Sequence, residues 1–252
     1  MSLWRIYPVY QPIVSLQDGN IFGFEALTRD ESPHAVSPET LFENARITGQ
    51  LFHLEMLSRR LAIEFHPPLE DNHKLFLNVA PDILMDENYQ QGLTLKELAD
   101  HQIPPEAVVL EITEQFKVYD PAALNRVMIH YQTQGFSVAM DDFGAGYANL
   151  NLLAEIAPQF LKLDRKLVCD IGLKPRSQAI VHAIIAFAKD SHTSLIAEGI
   201  ENLVDLQWLR EAGVPLGQGY LLGRPKPVWG PESLDKISKK WDDVMNKPFV
   251  AV

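Results

Sequence analysis

Short apolar runs that end in charged or amide side chains recur along the chain. They cover residues 21–27, 75–80, 108–113, 137–142, 160–164 and 194–200. Continuous apolar runs separated by helical stretches are typical of parallel strands that are buried on both faces. The pattern therefore predicts parallel strands that alternate with helices, as in a β/α barrel.

The first of these runs is preceded by another apolar stretch, residues 6–16. The segment Gln17-Asp18-Gly19-Asn20 separates the two, and an Asp-Gly turn between apolar runs predicts a hairpin. One strand should therefore run against the rest. The predicted fold is α/β, a modified TIM-type (β/α)8 barrel with one antiparallel strand.

Helices are predicted between the strands from caps and from apolar spacing. Ser37-Pro38 supplies an N-cap and a first-turn proline, and Asp120-Pro121 repeats that signature. The predicted helices cover residues 38–48, 51–65, 121–135, 177–189 and 203–212, the last one ending at Gly213.

The length of the chain fits a single large domain. It has 252 residues, of which 46% are hydrophobic, and a β/α barrel takes about 250 residues around one core. We therefore expect one domain over residues 1–252, with a polar C-terminal tail over residues 236–252. The single cysteine, Cys169, excludes an internal disulfide. Neither a signal peptide nor a membrane span is predicted, so a cytoplasmic location is expected.

The formal charge of −11 argues against binding to duplex nucleic acid, which depends on clustered lysine and arginine. A small phosphate ligand remains compatible with this charge. Hard cations such as Mg²⁺ or Mn²⁺ favour oxygen ligands, and an acidic rim would provide them.

Polar side chains at the strand ends are the candidate site. They are Glu25, Asn78, Glu111, Asp141, Asp142, Lys162, Glu198 and Gln218. In a β/α barrel the carboxyl ends of the strands converge on one rim, so the set predicts a metal-dependent site. Taken alone, a glutamate at a strand end is usually only solvated, and a buried Lys162–Asp164 pair is an ordinary structural alternative.

Two further features accompany this set. Adjacent charges at Asp141 and Asp142 repel each other and are most simply stabilised by cations. The following Phe143-Gly144-Ala145-Gly146-Tyr147 is either a tight turn or a mobile loop near a ligand. Strand alternation places Lys162 and Asp164 inside the barrel, whereas Glu114 would act from a neighbouring loop if Glu111 faces the site.

Taken together, these motifs resemble those of the EAL-domain cyclic-di-GMP phosphodiesterases. The resemblance covers about residues 7–227. It is carried by Tyr10-Gln11-Pro12-Ile13, Glu25-Ala26-Leu27 with Arg29, Asn78-Val79, Glu111-x-Thr113-Glu114, Asp141-Asp142-Phe143-Gly144, Lys162-x-Asp164-Arg165, Ala197-Glu198-Gly199 and Gln218-Gly219-Tyr220. Asp30 follows Arg29 where the family frequently has tryptophan.

The resemblance implies hydrolysis of cyclic di-GMP to linear pGpG in bacterial second-messenger signalling, with two Mg²⁺ or Mn²⁺ ions. Glu25, Asn78, Glu111 and Asp141 would hold one ion, and Asp141, Asp142 and Glu198 the other. Lys162 would orient or deprotonate the attacking water, and Glu114 would anchor the glycine loop. The implied substrate-binding residues are Gln11, Leu27, Arg29, Asp164 and Gln218. A homodimer and a regulatory or sensory protein partner are also implied.

Two other functions stay open at this point. A binding module of this family would capture cyclic di-GMP and signal to a protein partner without turnover. A divalent-metal barrel enzyme of another class, such as a lyase, would use Lys162 for proton abstraction. The complete ligand set favours the phosphodiesterase over both.

Overall fold

Eight strands close into one barrel in the computed structural model, which describes residues 4–70, 72–80, 83, 88–113, 121–145, 153, 155, 156, 158–230, 233, 237 and 241. The strands are β1 (Ile6–Ser15), β2 (Ile21–Asp30), β3 (Lys74–Asn78), β4 (Val108–Thr113), β5 (Ser137–Phe143), β6 (Phe160–Leu163), β7 (Ser194–Ala197) and β8 (Leu216–Gly217). The order around the barrel follows the order in the chain.

The strand directions confirm the predicted barrel with one antiparallel strand. β1 runs antiparallel to both of its neighbours, β2 and β8, and Gln11 lies opposite Glu25 in the β1–β2 pair. The remaining neighbouring pairs are parallel. The carboxyl ends of β2 to β8 therefore share one rim, and the reversed β1 reaches that rim with its first half.

The helices lie outside the barrel, and five of those described are at the predicted places. They are α1 (Pro38–Ile47), α2 (Leu51–Glu64), α3 (Leu93–Asp100), α4 (Pro121–Gln132), α5 (Arg165–Val168), α6 (Pro175–Ser191) and α7 (Leu203–Ala212). Ser37 caps α1 by accepting a hydrogen bond from the Thr40 N–H, and α7 ends at Gly213 in a left-handed conformation. The cap predicted at Asp120 lies outside the described residues. The short α3, α5 and β8 are additions to the predicted elements.

The hydrophobic core of the described residues has two main parts, and a small third cluster lies between α1 and α2. The larger part fills the space between the barrel and its helices. The smaller part lies inside the barrel and takes one side chain from each of seven strands, Ile13, Phe76, Val109, Ala139, Phe160, Ile196 and Leu216. The inner part is the floor beneath the polar residues of the rim.

The predicted polar tail contributes to the core. Its two residues Ile237 and Trp241 are buried in the larger cluster. The Trp241 ring lies against Gly19 in the β1–β2 turn, where an added Cβ would come within 2.2 Å of the ring. Two apolar residues four apart can pack on one side of a segment whose average composition is polar, which accounts for this burial. Among the described helices, none is long and apolar enough to cross a membrane.

Candidate metal centre

A layer of polar side chains lies directly above the apolar floor of the barrel. Each strand from β3 to β8 has its polar residue two positions after its floor residue. These pairs are Phe76 and Asn78, Val109 and Glu111, Ala139 and Asp141, Phe160 and Lys162, Ile196 and Glu198, and Leu216 and Gln218. Side chains two apart in a strand share a face. In β1, which runs the other way, Gln11 precedes Ile13.

Lys162 lies at the centre of this layer. Its side chain is 1% exposed, and its ammonium contacts four carboxylates. The distances from Nζ are 2.7 Å to Glu111, 2.8 Å to Glu198, 3.2 Å to Asp141 and 3.4 Å to Glu25. The predicted inward direction of Lys162 is therefore observed, and its partners come from four other strand ends rather than from Asp164.

Glu25 is held by amide donors as well as by Lys162. Gln218 Nε2 donates to Glu25 Oε2 over 2.7 Å, and Asn78 Nδ2 lies 3.5 Å from Glu25 Oε1. Burial would raise the pKa of Glu25, but the Lys162 charge and the Gln218 hydrogen bond lower it overall. Glu25 is thus a fixed carboxylate.

Asp141 and Asp142 reach the same site because β5 is irregular. Consecutive strand residues normally point to opposite faces. The β5–β6 register shifts between Met140 and Phe143, and Asp142 has a φ of 60°. A bulge of this kind adds a residue and redirects the side chains beside it. The sequence indicated the acidic pair, but not the bulge that lets both carboxylates face one centre.

Apart from Glu25, the crowded carboxylates resist ionisation, because their pKa values are raised. Burial, followed by the charge of Asp141, raises the pKa of Asp142 to about 6. Burial, with the charges of Asp141 and Glu25, raises the pKa of Glu198 to about 8 despite the nearby Lys162. Burial would lower the pKa of Lys162, but the surrounding carboxylates raise it well above its usual range. The site therefore has more carboxylates than the single Lys162 ammonium can neutralise.

The donor set suits divalent cations. Carboxylate oxygens of Glu25, Glu111 and Asp141 form one group within 4.8 Å of one another, and those of Asp141, Asp142 and Glu198 form a second. Glu111 Oε2 is buried without a hydrogen-bond donor from the described residues, which is a position that a cation would satisfy. Five carboxylates and one ammonium leave four formal negative charges, which two divalent cations would balance.

The family comparison agrees with this arrangement. Residues 2–225 match the family model described as EAL domain.

The chain belongs to the EAL domain family.

One curated relative is the cyclic di-GMP phosphodiesterase RocR of Pseudomonas aeruginosa. It is 33% identical to this EAL domain over 227 residues, which are 86% of this chain and 57% of RocR. This EAL domain thus spans little more than half the length of that relative.

Solved structures of EAL proteins share the fold. A standalone EAL protein from Vibrio cholerae in a c-di-GMP-bound form is 30% identical, with a TM-score of 0.81, covering 90% of this chain and 94% of that one. BlrP1 of Klebsiella pneumoniae in a calcium and cyclic di-GMP complex is 30% identical, with a TM-score of 0.79, covering 88% of this chain and 56% of that one.

The predicted substrate-binding residues of this EAL domain lie around the centre. Gln11 is buried in the polar layer and donates to the Gly223 carbonyl over 3.1 Å. Leu27 and Arg29 line a cleft beside the centre. Asp164 lies just beyond β6 and half-buried, where its Oδ1 accepts the Lys166 N–H. It caps a helix at the rim, so the structural alternative of a buried Lys162–Asp164 pair is not observed.

The glycine loop of this EAL domain is described only as far as Ala145. The Lys166 ammonium donates to the Ala145 carbonyl over 3.0 Å, which fixes the start of the loop to α5. Glu114, predicted to anchor this loop, lies outside the described residues, as do Gly146 and Tyr147.

The sequence motifs do not include the wall of the cleft. The cleft has a volume of about 1080 Å³ and extends from Asp141 and Asp142 to α1 and α2. Its outer wall carries Pro38, Phe42, Glu43 and Arg46. The only sequence signal for this wall was the cap of α1, which indicates where the helix begins and not which strand end it faces.

Proposed function

We propose that this chain is a phosphodiesterase that hydrolyses cyclic di-GMP to linear pGpG with two Mg²⁺ or Mn²⁺ ions. The observation that carries the proposal is the pair of carboxylate groups that share Asp141 beside a buried lysine. The names of the relatives and the bound nucleotide of the solved structures support the same substrate.

The ligands of the two ions would be the two carboxylate groups, with Asn78 added to the first. Ions bound there would lower the pKa of a bound water and offset charge on the phosphoryl oxygens. The protein supplies preorganisation, because Gln218 and Lys162 already fix the carboxylate of Glu25 before any ligand arrives. The apolar floor of Phe76 and Phe160 keeps water from reaching the carboxylates from below.

Lys162 fits the role of a cationic hydrogen-bond donor that orients the attacking water. Its carboxylate neighbours raise its pKa, so the ammonium form persists at neutral pH. A neutral lysine, which a lyase mechanism would require, is disfavoured by the same charges. Gln11, Leu27, Arg29, Gln218 and Asp164 would contact the nucleotide from the rim and the cleft.

The test is chromatography of the products after incubation with cyclic di-GMP and Mg²⁺ or Mn²⁺. The wild type should form pGpG only with an added cation, and Glu25→Gln should lose turnover. Glu64→Gln, a change of the same kind at an exposed position on α2, should keep it. Nucleotide that binds and elutes unchanged with every cation would instead identify a receptor and refute the proposal.

The proposal also includes the oligomeric state and the protein partner that the family resemblance implies. A homodimer and a regulatory or sensory protein partner are expected from the family resemblance. Light scattering of the purified chain, with and without cyclic di-GMP, tests the dimer directly, since a monomer in both conditions would contradict it.

A further inference from the structure

The first and last strands of the barrel pair with each other only at the end away from the rim. The two residues of β8 pair with Val14 and Ser15 of β1. Nearer the rim, β1 pairs instead with a segment that follows β8, where the Tyr10 N–H donates to the Lys226 carbonyl over 2.9 Å and the Lys226 N–H donates back over 3.1 Å. Residues 218–229, the closing segment, therefore complete the barrel wall beside the metal centre.

The closing segment is bonded to the polar layer at two points. It begins at Gln218, which donates to Glu25, and farther along Gly223 accepts a hydrogen bond from Gln11 Nε2 over 3.1 Å. Gln11 lies opposite Glu25 in the β1–β2 pair. The position of the Gly223 carbonyl therefore determines where the side-chain amide of Gln11 is held.

Gly223 is packed between two rings. A Cβ added to it would come within 2.5 Å of Pro12 Cγ and 3.0 Å of Trp229 Cη2, so both rings lie close to its backbone. Its N–H donates to the Gly219 carbonyl over 2.9 Å. Because protein interiors are close-packed, removing either ring would leave space into which Gly223 could move.

Trp229 is itself fixed to β1. Its indole N–H donates to the Tyr10 carbonyl over 2.7 Å in a buried hydrogen bond, and its ring lies 5.7 Å from that of Phe24, between centroids. The Lys226 ammonium lies 3.8 Å from the centroid of the same ring. A buried tryptophan whose N–H is bonded has a defined orientation. The edge of the ring that meets Gly223 is therefore held in place.

We propose that Trp229 is a positioning residue for nucleotide binding, and that it acts through Gly223 on the side-chain amide of Gln11. This inference rests on the proposed function, because it takes Gln11 to contact cyclic di-GMP. Trp229 belongs to the cluster outside the barrel and is not among the described residues that line the cleft. Its effect on the nucleotide is therefore indirect.

The experiment is a double-mutant cycle of Trp229→Phe and Gln11→Ala. Phenylalanine keeps an apolar ring but lacks the indole N–H and the ring edge that meets Gly223. Trp208→Phe is the matched control, because Trp208 lies on α7 and packs edge-on against His182 outside the barrel.

Pro12→Ala is a second variant that removes the ring on the other side of Gly223 and leaves the indole in place. It tests the same inference if Trp229→Phe does not fold. Thermal unfolding verifies that each variant is folded.

The first readout is steady-state kinetics with cyclic di-GMP, or the Kd from calorimetry if the wild type does not turn the nucleotide over. Trp229→Phe should raise KM about three- to tenfold, as expected when one hydrogen bond is weakened, and change kcat less than about twofold. In the Gln11→Ala background it should change KM less than about twofold. Trp208→Phe should match the wild type. An effect of Trp229→Phe that persists in full without the Gln11 amide would show general packing and overturn the inference.

The second readout needs no nucleotide. The side-chain amide signals of Gln11 in NMR spectra, assigned by their loss in Gln11→Ala, report hydrogen exchange with water. Exchange should be faster in Trp229→Phe and Pro12→Ala and unchanged in Trp208→Phe. An exchange rate that stays at the wild-type value in the first two variants would overturn the inference.

The two readouts separate this inference from the proposed function. If the Gln11 amide and the Kd respond to Trp229→Phe but no pGpG forms with any cation, the positioning role stands and the phosphodiesterase proposal falls. If pGpG forms and Trp229→Phe has the wild-type KM, the reverse holds. If the wild type neither binds nor hydrolyses cyclic di-GMP, both fall.

Discussion

The apolar floor and the polar layer of the barrel are built by the same strands, yet they follow opposite physical rules. Floor residues such as Phe76 and Ile196 are fully buried and stabilise the fold by leaving water. Glu111 and Lys162 lie two positions after the floor residues of their own strands, and they are equally buried but have ionisable side chains. Burial of charge costs free energy unless it is compensated.

Inside the barrel, the apolar floor contributes to stability and the polar layer contributes to function. The floor needs only volume and shape, and its contribution does not depend on pH or on ions. The polar layer depends on both, because protons or cations must balance its carboxylates. Changes in the two layers should therefore respond differently to pH and to cations.

The largest effect is expected at Asp141, the carboxylate that belongs to both metal groups. Asp141→Asn should lower kcat about 10³-fold or more, since losing a shared ligand removes several kcal/mol of transition-state stabilisation. Without cations, its free energy of unfolding at pH 8 should not fall, because one crowded charge is gone. Steady-state kinetics and urea denaturation in EDTA measure the two quantities. A variant with wild-type kcat would remove Asp141 from the metal centre.

The next largest effect is expected at Lys162, the cation of the polar layer. Lys162→Met should lower the free energy of unfolding by about 3–5 kcal/mol in EDTA at pH 8, because its buried carboxylate partners lose their ammonium. The loss should shrink at pH 6, where protons neutralise carboxylates, and also with Mn²⁺. A loss that is the same in all three conditions would indicate that Lys162 acts only through packing.

The pH dependence of the metal-free wild type is the third expectation. The folded-state pKa values of Asp142 and Glu198, about 6 and about 8, lie above the usual values of unfolded carboxylates, about 3.9 and 4.3. As the pH falls, the folded state thus binds protons at a higher pH than the unfolded state does. These two groups should therefore make the protein more stable as the pH falls from 8 towards 5. Thermal unfolding in EDTA tests this.

The control for that experiment is the same pH series in Mn²⁺. Cations replace protons in the centre, so the stabilisation by Mn²⁺ should grow as the pH rises. Curves that are parallel with and without Mn²⁺ would contradict the proposed metal centre.

The smallest effect is expected in the floor. Ile196→Val should lower the free energy of unfolding by about 0.5–1.5 kcal/mol, the usual result of deleting one buried methylene. Denaturation at pH 6 and pH 8, with and without Mn²⁺, should give the same loss. A loss that varied with pH or cation would mean that the two layers are coupled.

Most of the fold could be predicted from the order of residues in the chain. Apolar runs separated by capped helices indicated the barrel, and Asp18-Gly19 between the first two runs indicated the antiparallel strand. The polar residues of the site could also be predicted, because the carboxyl ends of parallel strands share a rim. β8 was missed because two residues carry no periodicity.

Other features could not be predicted from the sequence, because they depend on contacts between segments that are distant in the chain. Asp164 and Lys162 are two apart and should share a face, but β6 ends between them and Asp164 caps α5. Ile237 and Trp241 stand in a polar tail but are buried in the larger cluster, and Trp241 lies against Gly19 of the β1–β2 turn.

The order of residues alone predicts which side chains are charged at the strand ends and that parallel strands bring them together. Packing of separate elements makes Lys162 contact four carboxylates, lets a bulge turn Asp141 and Asp142 to one centre, and directs Arg46 of α1 to the cleft. The two levels differ because periodicity predicts only the face on which a side chain lies. Distances, pKa values and the neighbours across a cleft depend on how separate elements pack.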